Sequence, residues 1–141
     1  IVFADRRGWG ADDFFEAIEN HAERDKRLFW FDGPDDGLLQ RLYETCSGVL
    51  VASEGEGFGL PLVEALARHK PVLARDIPVL REVAGDRVRY FSGLNPEDLA
   101  QALASWIQDI RAGSALVDPE YMPLSWKQSA QQLLRAMEIV K

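Results

Sequence analysis

One cysteine stands in the 141 residues, so no disulfide can form within the chain. A lone thiol is compatible with a reducing compartment, and Cys46 falls on the apolar side of an expected helix, where it reads as a buried structural thiol. Long hydrophobic runs are missing too: none approaches the ~20 residues that a membrane-spanning helix needs. The first residues lack the basic, apolar and small-residue succession of an export signal. Positive charge is in deficit. Sixteen Lys and Arg stand against 23 Asp and Glu, a formal charge of −7. Such a surface repels nucleic acid, which is therefore not an expected partner. It leaves room for one small phosphate ligand held locally. No internal repeat and no low-complexity segment occurs. What is present is ordinary for a globular domain: 47% apolar and 28% charged residues. The length suits one domain with a sizeable core, residues 1–141. The chain opens on Ile1, already inside a strand-like run, which suggests a piece excised from a longer protein.

Apolar periodicity alternates along the chain. Ile1–Ala4 predicts a strand. Asp13 and Glu16 have the spacing of a capping box, and Phe14, Phe15, Ile18 and Ala22 give the following helix an apolar side. Leu28–Phe31 is a short apolar run, hence a buried strand. Asp32-Gly-Pro-Asp-Asp-Gly37 is turn chemistry, and Leu38, Leu39, Leu42, Tyr43 and Cys46 recur at helical spacing. Gly48–Ala52, Pro71–Ala74 and Val88–Phe91 predict three more strands, with helices from about Pro61 to Arg68 and from Pro78 to Ala84. Asn95-Pro-Glu-Asp98 starts a helix whose buried stripe is Leu99, Leu103, Trp106, Ile107 and Ile110. Ser125-Trp-Lys-Gln128 is a second capping box, with Trp126, Ala130, Leu133, Leu134 and Met137 on one side of its helix. Short apolar strands alternating with helices imply βαβ units and a parallel sheet covered on both faces. The expected fold is α/β, a doubly wound, Rossmann-like parallel sheet, which binds ligands at the carboxyl ends of its strands.

The stretch Ser53-Glu-Gly-Glu-Gly-Phe-Gly-Leu-Pro-Leu-Val-Glu-Ala-Leu66 lies where that rule puts a ligand. Gly55, Gly57 and Gly59 let the backbone turn tightly and come close to a bound group. Pro61 suits a first helical turn. The amides of Gly59 and Leu60 are then free donors at a helix N-terminus, a natural phosphate site. Glu56 lies in the loop, and Glu64 is expected in the first helical turn. Carboxylates accept hydrogen bonds from vicinal hydroxyls, as one does from the ribose in dinucleotide folds. Acids at both ends of a phosphate-holding turn suit a ligand built as ribose, diphosphate and hexose. A plain strand-to-helix turn with solvated acids has the same spacing. There is no Gly-Lys-Ser/Thr of a Walker loop, and the glycines do not space as in nicotinamide folds.

This stretch resembles the Glu-x7-Glu signature of the retaining glycosyltransferases of family 4, which have the GT-B fold. Pro71-Val72, Glu82-Val-Ala-Gly85, Asn95-Pro-Glu-Asp98 and Ser125-Trp126 are similar to further segments of that family, and Arg7-Gly-Trp-Gly10 resembles a loop of its mannosyltransferase-like branch. The similarity covers nearly the whole chain, as the GT-B C-terminal, donor-binding domain. It implies a nucleotide-sugar donor and transfer of its sugar to an acceptor glycan or lipid, with retention at the anomeric carbon. Glu56 is then the catalytic-site acid holding hydroxyls of the transferred sugar, and Glu64 binds the ribose. Gly57, Phe58, Gly59 and Leu60 contact sugar and diphosphate through their amides. The nucleobase lies against Asp32, Gly33, Pro34 and Asp35. No metal and no other cofactor is implied. The family's phosphate-binding Arg and Lys are expected on a strand preceding Ile1, and an acceptor domain ahead of that. Alone, such a piece is expected to bind donor without turnover. The setting implied is bacterial polysaccharide synthesis in the cytoplasm, with peripheral membrane association of the full-length protein left open.

Some residues depart from the family pattern. Arg75 stands where a small residue is common. At a strand's carboxyl end it is a candidate donor contact. His69 stands in place of Gly at a helix C-terminus, where a left-handed residue is expected. Arg6, Arg7 and His21 read as solvated. Trp30, Trp106 and Trp126 read as core, whereas Trp9, among glycines, is a candidate for lining the cleft. Other readings are a GT-B epimerase, a phospho-acceptor receiver domain and a module that binds nothing. The receiver fits poorly, because Lys70-Pro71 precedes a strand instead of ending one.

Overall fold

The computed structural model describes residues 1–8 and 10–139, so the candidate Trp9 lies outside the described residues. Among the described residues eleven elements follow one another: β1 (Val2–Asp5), α1 (Asp12–Glu19), β2 (Phe29–Asp32), α2 (Asp36–Thr45), β3 (Val49–Val51), α3 (Leu60–Ala67), β4 (Val72–Arg75), α4 (Pro78–Ala84), β5 (Arg89–Phe91), α5 (Pro96–Ala112) and α6 (Trp126–Ile139). The expected α/β class is what forms: every described strand pair is parallel. The chain divides into two compact units, Ile1–Thr45 and the part from Cys46 onward.

In the first unit β1 and β2 pair in register from Val2 with Phe29 to Asp5 with Asp32. Phe15 and Ile18 of α1 are buried, and the Phe15 ring meets Trp30 edge-on at 4.8 Å between centroids. The capping box expected at Asp13 and Glu16 does not form. Helix α1 starts two residues earlier, with Ala11 as N-cap in place of Asp13, so Asp13 is already helical and makes no cap bond. Helix α2 is capped instead by Asp35, whose Oδ1 accepts the Leu38 amide at 2.7 Å. It ends at Thr45, whose hydroxyl bonds back to the Arg41 carbonyl at 2.7 Å. Cys46 therefore lies past the helix and is only half-buried, against the expectation of a buried helical thiol.

In the second unit β4 is the middle strand, flanked by β3 and β5. Val72, Leu73 and Ala74 are almost wholly buried, the continuous apolar run of a strand covered on both faces. Leu73, Phe91 and Trp106 form one cluster, extended by Leu50, Ala52, Leu99, Ala102, Leu103 and Ile110. Thus the stripe predicted for α5 does cover the sheet. Gly48 makes room for it: a Cβ there would stand 2.6 Å from the Trp106 ring. Helix α3 packs on β3, β4 and α4, burying Leu62, Ala65 and Leu66.

The capping box at the head of α6 forms in both directions. Ser125 N–H donates to Gln128 Oε1 at 2.9 Å, and Gln128 N–H to Ser125 Oγ at 3.3 Å. The placement of Trp126 in the core is overturned: it is 93% exposed, and Leu133, Leu134 and Met137 are exposed beside it. Helical spacing puts these residues on one side without supplying a surface to bury that side against. No helix among the described residues is long and apolar enough to cross a membrane.

Candidate functional site

The β3–α3 connection is built around Gly59. Its φ of 81° is left-handed, and a Cβ there would meet Leu80 Cδ2 at 2.5 Å. Only glycine combines that conformation with that proximity. The turn closes when the amides of Leu62 and Val63 both reach the Gly59 carbonyl, at 3.0 and 3.2 Å. Pro61, in the first turn, has no N–H to offer. Among the described residues the N–H groups of Gly57, Phe58, Gly59 and Leu60 donate to no protein acceptor. Four adjoining open donors thus mark the start of α3, where the helix dipole adds partial positive charge.

The two acids of the stretch differ in their surroundings. Glu56 is half-buried, and its Oε1 accepts a hydrogen bond from Ser53 Oγ at 2.5 Å. Glu64 is not in the first helical turn as expected. Helix α3 begins at Leu60, which makes Glu64 its fifth residue, in the second turn. It too is half-buried, and no cation pairs with its carboxylate among the described residues. Phe58 and Leu60 are 57% and 60% exposed, so the open amides are flanked by apolar side chains.

Arg75, the last residue of β4, turns back across the strand ends. Its Nε donates to the Ala52 carbonyl at 2.9 Å, its Nη1 donates to the Gly93 carbonyl, and its guanidinium lies 4.9 Å from the Phe91 ring centre. Next to it, Asp76 and Arg81 form a two-pronged ion pair at 2.6 and 2.8 Å. The Arg81 hydrogen bond holds the Asp76 carboxyl below the usual carboxylate range. Arg81 also stacks 4.1 Å from the Tyr90 ring centre. The Tyr90 hydroxyl, pushed up by burial, bonds to the carbonyls of Gly85 at 2.8 Å and Leu80 at 3.2 Å. These links tie α4 to the end of the sheet.

The loop Asp32–Asp35 belongs to the first unit. Asp32 accepts the Arg7 amide at 3.2 Å, Gly33 has φ 56°, Pro34 is half-buried and Asp35 caps α2. Asp35 therefore already has a structural task. Arg6 and Arg7 are exposed, as expected, and Arg7 lies over the Phe15 ring. His21 is exposed as well, while His69 does take the left-handed conformation, with φ 51° and Nδ1 3.1 Å from the Asp118 carbonyl. No group of three His, Cys, Asp or Glu side chains converges as a metal site among the described residues. Sequence reading missed the bond from Ser53 to Glu56, the bridge made by Arg75 and the pressure of Leu80 on Gly59. Two of the three join different strands or helices and have no spacing signal, whereas the i, i+3 spacing of Ser53 and Glu56 could have pointed to the third.

The family model of the glycosyl transferases group 1 matches residues 4–116, which hold parallel strands and the glycine turn opening α3. The chain belongs to that family. It is 38% identical over 140 residues to a serotype-specific mannosyltransferase WbdA of Escherichia coli, a match covering 99% of this chain and 17% of the relative. It is 40% identical over 60 residues to the O-antigen chain mannosyltransferase RfbU of Salmonella typhimurium, covering 43% of this chain and 16% of that one. Over 148 aligned positions it is 26% identical to O-antigen chain mannosyltransferase B of E. coli, covering 99% of this chain and 37% of that one. The chain thus spans only 17% of the length of the WbdA proteins it matches.

Proposed function

We propose that this chain is the donor-binding part of a retaining glycosyltransferase of family 4 that transfers mannose from a nucleoside-diphosphate sugar. The observation that carries the reading is the run of four amides at the head of α3 that are open among the described residues, with a half-buried Glu64 one turn further on that pairs with no cation among them. A diphosphate matches the amides and the helix dipole. Ribose hydroxyls match the Glu64 carboxylate, which needs donors that no side chain among the described residues supplies. Glu56, oriented by Ser53, takes hydroxyls of the transferred sugar. The amides and the helix dipole carry part of the diphosphate's charge, and the reading assigns no metal to the site. Mannose is supported by the relatives, all three of them named as mannosyltransferases.

The acceptor in this reading is a growing bacterial glycan of the O-antigen kind, engaged by parts of the protein beyond this chain. The test is calorimetric titration with UDP, GDP, ADP and dTDP, followed by GDP-mannose and UDP-glucose. One diphosphate is expected to bind, more weakly in Glu64→Ala. Binding that ignores Glu64→Ala removes the ribose assignment. An absence of binding by all six probes removes the donor-site reading for the chain alone.

A further inference from the structure

Where parallel strands leave a sheet, their last carbonyls lose their ladder partners and need donors from elsewhere. The ladder between β3 and β4 ends at Val51 with Ala74, and that between β4 and β5 ends at Arg75 with Phe91. Ala52 and Gly93 lie just past β3 and β5. Arg75, at the end of the middle strand, donates to both carbonyls with two arms of one guanidinium. The Phe91 ring lies under the same group at 4.9 Å and holds its plane. No carboxylate neutralises Arg75 among the described residues. Its geometry is therefore set by the two carbonyls and the ring, not by an ion pair.

The residue after Ala52 is Ser53, and the Ser53 hydroxyl donates to Glu56. A short chain of contacts runs from Gly93 through Arg75 to the Ala52 carbonyl, and through Ser53 to the Glu56 carboxylate. We infer that Arg75 is a positioning residue: by clamping the exits of β3 and β5 it fixes the path of residues 52–56 and so the place of Glu56. It does so without touching the donor. Lysine is a poor substitute, because its donors radiate from one ammonium whereas the planar guanidinium fork spans two separate acceptors. The inference rests on the proposed assignment of Glu56 to the transferred sugar only for its functional consequence. The structural part stands independently.

The experiment separates the two. Hydrogen–deuterium exchange is compared in the 141-residue chain and its Arg75→Gln and Arg75→Lys variants. Exchange across β3 and at Asp76, whose amide donates to the Phe91 carbonyl at 2.8 Å, is expected to rise about tenfold in Arg75→Gln, with α5 unchanged, and by less in Arg75→Lys. Ser53→Ala is expected to leave the Ala52 segment protected, since it breaks only the last link. For the diphosphate that binds, affinity is expected to be equal in wild type and Arg75→Gln, while the matching nucleotide-sugar binds Arg75→Gln about tenfold more weakly. An unchanged exchange pattern in both Arg75 variants overturns the clamp. Equal losses of diphosphate and nucleotide-sugar binding, with exchange unchanged, assign Arg75 to the donor phosphates and overturn the inference as well. If wild type binds no probe, the donor reading fails, and exchange alone still decides the clamp. If Arg75→Gln does not fold, Arg75→Lys carries the same comparison.

Discussion

Leu80 Cδ2 lies 2.5 Å from where a Cβ on Gly59 would be, so helix α4 presses directly on the turn that opens α3. Gly59 also has a left-handed φ of 81°. Gly59→Ala therefore meets two penalties, about 1–2 kcal/mol for the backbone and about 1–3 kcal/mol for overpacking. A loss of about 2–5 kcal/mol in urea unfolding is expected, relieved in part by pairing with Leu80→Ala. A neutral Gly59→Ala contradicts this turn geometry.

Gly48 stands in a similar relation to Trp106, 2.6 Å from a Cβ it does not have, but here φ is not at issue. Gly48→Ala is expected to cost about 1–3 kcal/mol through packing alone. The melting temperature should fall by several degrees while the open amides of the β3–α3 turn are undisturbed, leaving ligand affinity intact below the melt. Loss of affinity without loss of stability contradicts that separation.

Helix caps give a contrast that needs no ligand. Asp35→Ala removes the cap of α2 and is expected to cost about 1 kcal/mol. Asp13→Ala, at a residue that caps nothing, should stay within about 0.5 kcal/mol. Chemical unfolding of the two variants checks this, and equal losses contradict the assigned helix start.

Such contrasts show what was legible in the sequence and why. Each expected strand and helix exists, because periodicity and turn residues are local signals. The capping boxes split: Ser125 and Gln128 close theirs, whereas Asp13 is displaced by a helix start two residues earlier, which spacing alone cannot decide. The Trp126 side was recognised as apolar but not as exposed, because burial depends on a partner surface. At the site, the glycine turn and both acids were visible as a motif. The Leu80 contact and the reach of Arg75 were not, since each depends on where the folded chain passes, whereas the i, i+3 spacing of Ser53 and Glu56 could have pointed to their bond.

Asp76 gives a pH dependence. Its carboxyl is held below the ordinary range of about 3.9 by the Arg81 hydrogen bond, so the pair stabilises the fold at pH above that range. The contribution is lost as pH falls through the lower folded-state value. Asp76→Asn is therefore expected to melt below wild type at pH 7 and together with it in strong acid. A difference that persists unchanged in strong acid contradicts the assignment to this ion pair.

The central claim is that Glu64 and the amides at the head of α3 bind one nucleoside diphosphate. Calorimetric titration of wild type and Glu64→Ala with UDP, GDP, ADP and dTDP tests it most directly. The account predicts that one of the four binds wild type and that Glu64→Ala binds it at least about tenfold more weakly, the loss of hydrogen bonds to a charged acceptor. Equal affinity in the two proteins would contradict it.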